Sequence, residues 1–130
     1  MAKLVDTNLI IRFLLKDNLT QAEAAKKILT QSDQDLILTD IAVAEIVWVL
    51  QSIYKLKKQE VVEKLLKVLE LRSLIANFSL FTNSLIIYQN HNISFVDAYL
   101  IAYCEQEKLE GIYSFDADLD KIKEIKRFKP

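Results

Sequence analysis

A chain of 130 residues, 52% of them hydrophobic, is long enough to bury one real core and too short for two comfortable ones, so one domain over residues 1–130 is expected. Seventeen Lys and Arg against eighteen Asp and Glu give a net charge of −1, which excludes a global positive field for nucleic acid, and the single histidine, His91, nearly excludes His-based zinc sites and imidazole triads. A lone Cys104 excludes an intrachain disulfide, and apolar runs far short of the roughly 20 residues of a membrane span argue for a soluble, cytoplasmic protein with no membrane partner.

The first stretch, Leu4-Val5-Asp6-Thr7-Asn8, reads as a short buried strand that runs into an acid and then into the helix-like segment Leu9 to Leu15. In an open α/β sheet, ligands bind outside the carboxyl ends of the strands, where such an Asp would sit. A structural reading stands beside it: Asp6 or Asn8 caps the next helix. Asp6 and Arg12 also interrupt any signal-peptide pattern. Thr20-Gln21-Ala22-Glu23 has the spacing of a capping box, and Ala24, Ala25, Ile28 and Leu29 recur at helical spacing, which predicts a helix near 21–31. Asp33 and Asp35 fall in a polar loop after it.

Leu36-Ile37-Leu38-Thr39 predicts a second buried strand, with Thr39 or Asp40 as the cap of the next helix. The segment Ile41 to Leu50 is apolar almost all the way round, which predicts a helix buried on most faces. Glu45 in its middle then needs an Arg or Lys partner, a proton or a metal. Lys55 to Lys58 marks a turn, and a helix over about 59–71 places Val61, Val62, Leu65, Leu66 and Leu69 on one stripe, with Glu60–Lys64 and Glu63–Lys67 at i,i+4 on the wet face. The apolar faces of this helix hairpin also suit self-association.

Phe78-Ser79-Leu80-Phe81 predicts a third strand, and Thr82 a cap for a short helix that ends near His91. In Ile93 to Cys104, Ser94-x-x-Asp97 has capping spacing, while Leu100, Ile101 and Cys104 continue the face of Asp97 and aim that acid inward. Cap and metal ligand are compatible at a first helical turn, which favours negative charge. Gly111 is placed as a helix C′ residue. Ile112-Tyr113-Ser114-Phe115 predicts a fourth strand that ends in Asp116, with Asp118 and Asp120 close behind. The tail from Lys121 through Lys123, Lys126, Arg127 and Lys129, with only Glu124 against it, is the best local basic patch.

Strands alternating with helices predict a parallel α/β sandwich in which the first and fourth strand ends lie side by side, with Asp6 and Asp116 at one edge and Glu45 and Asp97 within reach. Clustered carboxylates repel, and a hard divalent cation such as Mg²⁺ or Mn²⁺ removes that cost with oxygen ligands. An acidic cluster without histidine therefore points to phosphate-ester chemistry.

The motifs Val5-Asp6-Thr7-Asn8, Ala44-Glu45, Phe95-Val96-Asp97-Ala98-Tyr99-Leu100-Ile101-Ala102 and Ser114-Phe115-Asp116-Ala117-Asp118-Leu119 together resemble the PIN-domain family, and more closely the VapC ribonuclease toxins of VapBC toxin–antitoxin systems. The resemblance implies a three-layer α/β/α sandwich with a central parallel sheet. It implies that Asp6, Glu45, Asp97 and Asp116 are catalytic, that Asp6, Asp97 and Asp116 hold Mg²⁺ or Mn²⁺, and that Thr7, Asn8 and Ser114 support them. Asp118 and Asp120 stand as alternatives that could share or replace the role of Asp116. The implied activity is hydrolysis of single-stranded RNA, with a homodimer and a cognate antitoxin expected. Two alternatives stand: a PIN nuclease of RNA maturation or decay without an antitoxin, and a non-catalytic RNA- or protein-binding module whose acids are structural.

Overall fold

The computed structural model describes residues 1–31 and 33–130. The chain has α/β character and divides into two compact units, Met1–Asn77 and Phe78–Pro130. Among the described residues, no helix is long and apolar enough to cross a membrane.

The first unit is built on three short parallel strands, β1 (Lys3–Leu4), β2 (Leu36–Ile37) and β3 (Leu74–Ile75), in the order β1-β2-β3. Leu4 stands opposite Ile37, and Ile37 opposite Ile75. The ladder runs slightly beyond these spans, because Val5 N–H donates to Ile37 O and Leu38 N–H to Ile75 O. Val5, Leu36, Leu38 and Leu74 are buried, but the first strand is not the buried one expected: both of its paired residues, Lys3 and Leu4, are exposed, because β1 is an edge strand of this three-stranded sheet and burial begins only at Val5.

Between β1 and β2 lie α1 (Thr7–Leu15) and α2 (Leu19–Gln31). Asp6 caps α1, its Oδ1 accepting Leu9 N–H at 3.0 Å. The cap of α2 is Asn18, whose Oδ1 accepts Gln21 N–H at 3.1 Å, and not the expected Thr20, which lies inside the helix. Either residue type can cap; Asn18 wins because the chain turns sooner, after Lys16 closes α1 in the left-handed region at φ 56°.

After β2, Thr39 caps α3 (Asp40–Ser52) through Ala42 N–H, and α4 (Lys58–Val68) comes next. Ala42, Val43, Ile46, Val47 and Leu50 form the buried stripe of α3. The expectation that α3 is buried on most faces is wrong: Ile41, Glu45 and Trp48, one turn apart, form an exposed stripe, with Ile41 80% and Trp48 59% accessible. The residues are apolar all round, but α1 and α4 pack on part of the helix only.

The second unit begins with α5 (Phe78–Asn90) packed on α6 (Phe95–Gln106). Phe78 to Phe81, expected as a strand, is the first turn of α5 instead; the third strand is the two-residue β3 just before it. Leu80, Phe81, Ser84, Leu85, Ile87 and Tyr88 recur at helical spacing and are buried. That burial, about 1.5–3 kcal/mol for each large apolar side chain, outweighs the modest strand preference of a few aromatics. Tyr88 meets Phe95 edge-on at 5.8 Å between ring centres.

The expected fourth strand exists as β4 (Ile112–Tyr113), but its hydrogen-bonded neighbour is β5 (Arg127–Phe128), in a separate parallel pair. A 3-10 helix over Ala117–Lys121 links them. Gly111 is not the C′ residue of α6. The left-handed position after α6 belongs to Lys108, at φ 54°. Gly111 lies where β5 passes, and a Cβ there would run into Lys126 O and stand 2.9 Å from the Phe128 ring. Close approach, not a helix end, is what demands glycine.

Candidate functional site

Parallel pairing turns the carboxyl ends of all three strands of the first unit to one edge. Two residues on from the paired Leu4, Ile37 and Ile75 stand Asp6, Thr39 and Asn77. Asp6 is exposed there, Thr7 beside it is buried at 7% accessibility, and Asn8 is exposed. Of the two possible caps for α1, the structure uses Asp6. The cap bond fixes one carboxylate oxygen, and a cap and a ligand are not exclusive roles for a group with two oxygens.

A shallow groove of about 240 Å³ is lined by Asp6, Asn8, Leu9, Arg12 and Gln21 together with Ala24 and Ala25. Arg12 is held in place on its wall. Its Nε donates to Gln21 Oε1 at 2.7 Å, and its Nη1 donates to Asp17 Oδ1 at 3.0 Å and reaches Tyr54 Oη at 3.5 Å. Tyr54 Oη in turn donates to Asp17 Oδ2 at 3.1 Å. Burial pushes the Asp17 carboxyl up, but the hydrogen bonds from Tyr54 and Arg12 and the guanidinium charge outweigh it and hold it below the usual carboxylate range.

Along the same edge, a second hollow of about 480 Å³ lies at the ends of β2 and β3, among Leu38, Thr39, Asp40, Ile41, Ile75 and Asn77. Of the residues that line it, Asn77 donates from Nδ2 to Asp40 Oδ1 at 2.8 Å. The sequence offers only a faint signal for this pair, since Asp40 reads as a cap and Asn77 as part of a loop.

Glu45 is exposed on α3. The expected pressure to find a partner, a proton or a metal is therefore absent, because that pressure belongs to buried carboxylates. Arg12 is engaged with Asp17 and Arg127 with Asp120.

In the second unit, Ser94 caps α6 by accepting Asp97 N–H at 3.1 Å, so the cap reading of this motif is correct. Asp97 itself is half-buried, between the buried Ile101 and Cys104 and the partly exposed Leu100 of its face. Burial pushes the Cys104 thiol up, away from the reactive thiolate.

The acids after β4 are held differently. Ser114 Oγ accepts Asp116 N–H at 3.0 Å, and Asp116 Oδ1 accepts Asp118 N–H at 2.9 Å, so Asp116 caps the 3-10 helix. Asp118 is exposed, 3.7 Å from Lys121 Nζ. Asp120 accepts Arg127 Nε at 2.8 Å and Nη2 at 2.9 Å, while Arg127 Nη1 donates to Ser114 O. The Arg127 fork holds the Asp120 carboxyl below its usual range. The basic tail is correspondingly less free than its sequence implies: Arg127 is tied to Asp120, Lys126 sits 4.9 Å over the Phe128 ring, and Glu124 meets His91 at 2.9 Å.

Asp6 and Glu45 thus belong to the first unit, and Asp97, Asp116, Asp118 and Asp120 to the second. Among the described residues, no three His, Cys, Asp or Glu side chains are grouped so as to hold a metal ion. The donor chemistry is nonetheless uniform: carboxylates, with hydroxyl and amide neighbours, and no thiolate or imidazole among them. Oxygen donors of this kind are those that hard cations such as Mg²⁺ or Mn²⁺ prefer.

The model of the PIN domain family matches residues 3–125, nearly the whole chain. The chain belongs to the PIN-domain family, a family of nucleases. Among solved structures it is similar to Mycobacterium tuberculosis VapC20, described as a sarcin–ricin loop cleaving toxin, at 15% identity and a TM-score of 0.44 over 95% of each chain. A likeness of that size says nothing about substrate. No curated protein matches the sequence.

Proposed function

We propose that the protein is a metal-dependent endoribonuclease of single-stranded RNA, the toxin of a type II toxin–antitoxin pair, acting in the cytoplasm as a homodimer. The observation that carries this reading is the family match over residues 3–125; Asp6, Glu45, Asp97 and Asp116 are the acids that we assign to the site from the resemblance of their motifs. Asp6, Asp97 and Asp116 are the residues that would hold Mg²⁺ or Mn²⁺. When bound, the cation supplies a lowered pKa for water and charge stabilisation at the phosphate.

The chain's own groups do the rest. Leu9 N–H holds one oxygen of Asp6, and Ser114 Oγ fixes the backbone of Asp116, so both acids are oriented before substrate arrives. Thr7 and Asn8 follow Asp6 in the first turn of α1. Glu45, exposed on α3, is the carboxylate that orients a water or takes its proton. Asp116 is favoured over Asp120, whose two oxygens are already engaged by Arg127, and Asp118 is the second choice. The exposed Ile41 and Trp48 on α3 support self-association or an antitoxin contact, in which a basic side chain from the antitoxin would neutralise the acids.

The test is cleavage of a labelled single-stranded RNA pool with Mn²⁺ or Mg²⁺, beside an EDTA control and the variants Asp6→Asn and Asp97→Asn. The expected result is metal-dependent cutting that both variants lose by at least about a hundredfold, with melting temperatures within a few degrees of the parent. Full activity in Asp97→Asn would sink the site assignment. Metal-independent binding of RNA without cutting would favour a non-catalytic module.

A further inference from the structure

The two most exposed large apolar side chains of the second unit come one residue apart at the end of β4: Tyr113 is 77% accessible and Phe115 84%. At that exposure neither ring adds much to a core, and both cost free energy in water. The pairing of β4 with β5 explains how they are presented. Tyr113 stands opposite Phe128 in the parallel register, with the ring centres 5.6 Å apart and the planes at 44°. Lys126, two residues back on β5, holds its Nζ 4.9 Å over the same Phe128 ring, and Gly111 leaves room beside that ring because a Cβ there would stand 2.9 Å from it. Period-two alternation thus gathers Gly111, Tyr113, Lys126 and Phe128 on one face of the ribbon, while Arg127 alternates away and binds Asp120. Phe128 is half-buried and buttresses Tyr113, whose own ring stays open to solvent.

The charge along β5 is positive. Lys126 and Lys129 are exposed, and Glu124, the acid of this segment, lies 2.9 Å from His91. Lysine is depleted in protein–protein interfaces, whereas exposed aromatic rings interleaved with lysine suit a single strand of nucleic acid, in which every base has a π-face and every link a phosphate. The place of the rings adds to this. Asp116, one of the acids assigned to the site, follows Phe115 directly, and Tyr113 precedes it by three residues, within about 10 Å even along a fully extended chain.

We propose that Tyr113 and Phe115 form a stacking platform for the unpaired bases of single-stranded RNA, buttressed by Phe128, with Lys126 and Lys129 taking its phosphates. The proposal rests on the ribonuclease reading for the substrate and for the role of Asp116. A strand whose phosphate lies at Asp116 lays a neighbouring base on Phe115 or Tyr113. Stacking accepts any base, so the platform supplies grip and not sequence choice. Single-stranded RNA is the form whose bases can splay onto it.

The experiment measures binding of a short labelled single-stranded RNA, and of an abasic backbone of the same length, to the intact protein with Mg²⁺. Glu45→Gln serves as the background, because it leaves the acids assigned to the metal in place and lets binding be read without cutting. In that background Phe115→Ala and, independently, Tyr113→Ala are each expected to weaken RNA binding by about tenfold or more, while Phe115→Trp keeps it. The abasic backbone should bind more weakly than RNA and equally to all of these proteins. Lys129→Ala should make the slope of log affinity against log salt shallower by about 0.7. In NMR spectra the ring signals of Tyr113 and Phe115 should shift with RNA and stay in place with the abasic backbone. RNA binding unchanged in both alanine variants, or an abasic backbone bound as tightly as RNA, would overturn the platform, and cutting by the parent would then leave the nuclease reading standing without it. Base-dependent binding lost in the alanine variants, in a protein whose parent cuts no RNA, would support the platform and defeat the nuclease reading. Loss of self-association in those variants with RNA binding intact would overturn the platform in favour of an interface between copies of this chain.

Discussion

Asp120 has given both carboxylate oxygens to Arg127, while Asp116 commits one to a backbone N–H and Asp118 stands exposed near Lys121, so three acids of one type within five residues face different fates. The Arg127 hydrogen bonds hold the folded Asp120 carboxyl below its ordinary value, with the guanidinium charge adding to them. A depressed folded pKa contributes stability that is fully present above the unfolded value of about 3.9 and is lost as pH falls through the folded value. Asp120→Asn is therefore expected to melt below the parent at pH 7, with the gap closing as pH drops under about 4. Melting temperatures of both proteins from neutral to acid pH check this, and a gap that stays constant with pH would count against the pair. The same variant should slow RNA cleavage by less than about tenfold, whereas Asp116→Asn abolishes it. Asp6 is legible in the sequence as a strand-end acid and as a cap because both roles depend on its immediate neighbours. The Asp120–Arg127 pair is not, since it depends on β5 returning beside β4, which no local pattern announces.

At the level of elements, what neighbours in sequence decide is readable and what distant partners decide is not. The existence of β1 and β2, the start of β2 at Leu36 and the caps at Thr39 and Ser94 follow from local apolar runs and short polar side chains. Phe78 to Phe81 misleads because two aromatics fit a strand as well as a helix, and only the continuing stripe through Leu85 and Tyr88 separates them. Glu45 misleads because an apolar helix sequence reveals residue types but not which face is covered. Gly111 shows the same limit most sharply, because its neighbour is Lys126 O beside β5. Ala at this position has no room: the obstacle is a backbone carbonyl, which cannot swing aside like a side chain. Gly111→Ala is expected to cost about 1–3 kcal/mol and to loosen the β4–β5 pair specifically. Amide hydrogen exchange at Ile112 and Ser114, which donate to Lys126 O and Phe128 O, should accelerate, while exchange in β2 stays slow. Unchanged exchange at Ile112 would mean that β5 can shift to admit the methyl group.

Taken whole, the molecule has almost no net charge to attract RNA from a distance, with seventeen basic against eighteen acidic side chains. Its richest basic segment is partly engaged internally, Arg127 by Asp120 and Lys126 by the Phe128 ring. A nuclease built this way must take its hold on RNA from a few local contacts and, in the proposed metal-dependent reading, from the cation as well, because exposed carboxylates alone repel phosphate. Each phosphate neutralised on a single strand contributes about −0.7 to the slope of log affinity against log salt. With two or three such contacts, RNA binding by the metal-loaded protein should show a slope of about −2 or shallower. The same dependence gives the metal a distinct signature: in EDTA, binding as well as cutting should weaken, and Mn²⁺ should restore both while raising the melting temperature. At a hundred times its dissociation constant, one bound ion adds about 2.7 kcal/mol to folding. A steep slope of about −5 that persists in EDTA would point to a lysine-rich binding face acting without the acids. A shallow slope with binding indifferent to metal would instead leave base recognition, and not the cation, as the source of affinity.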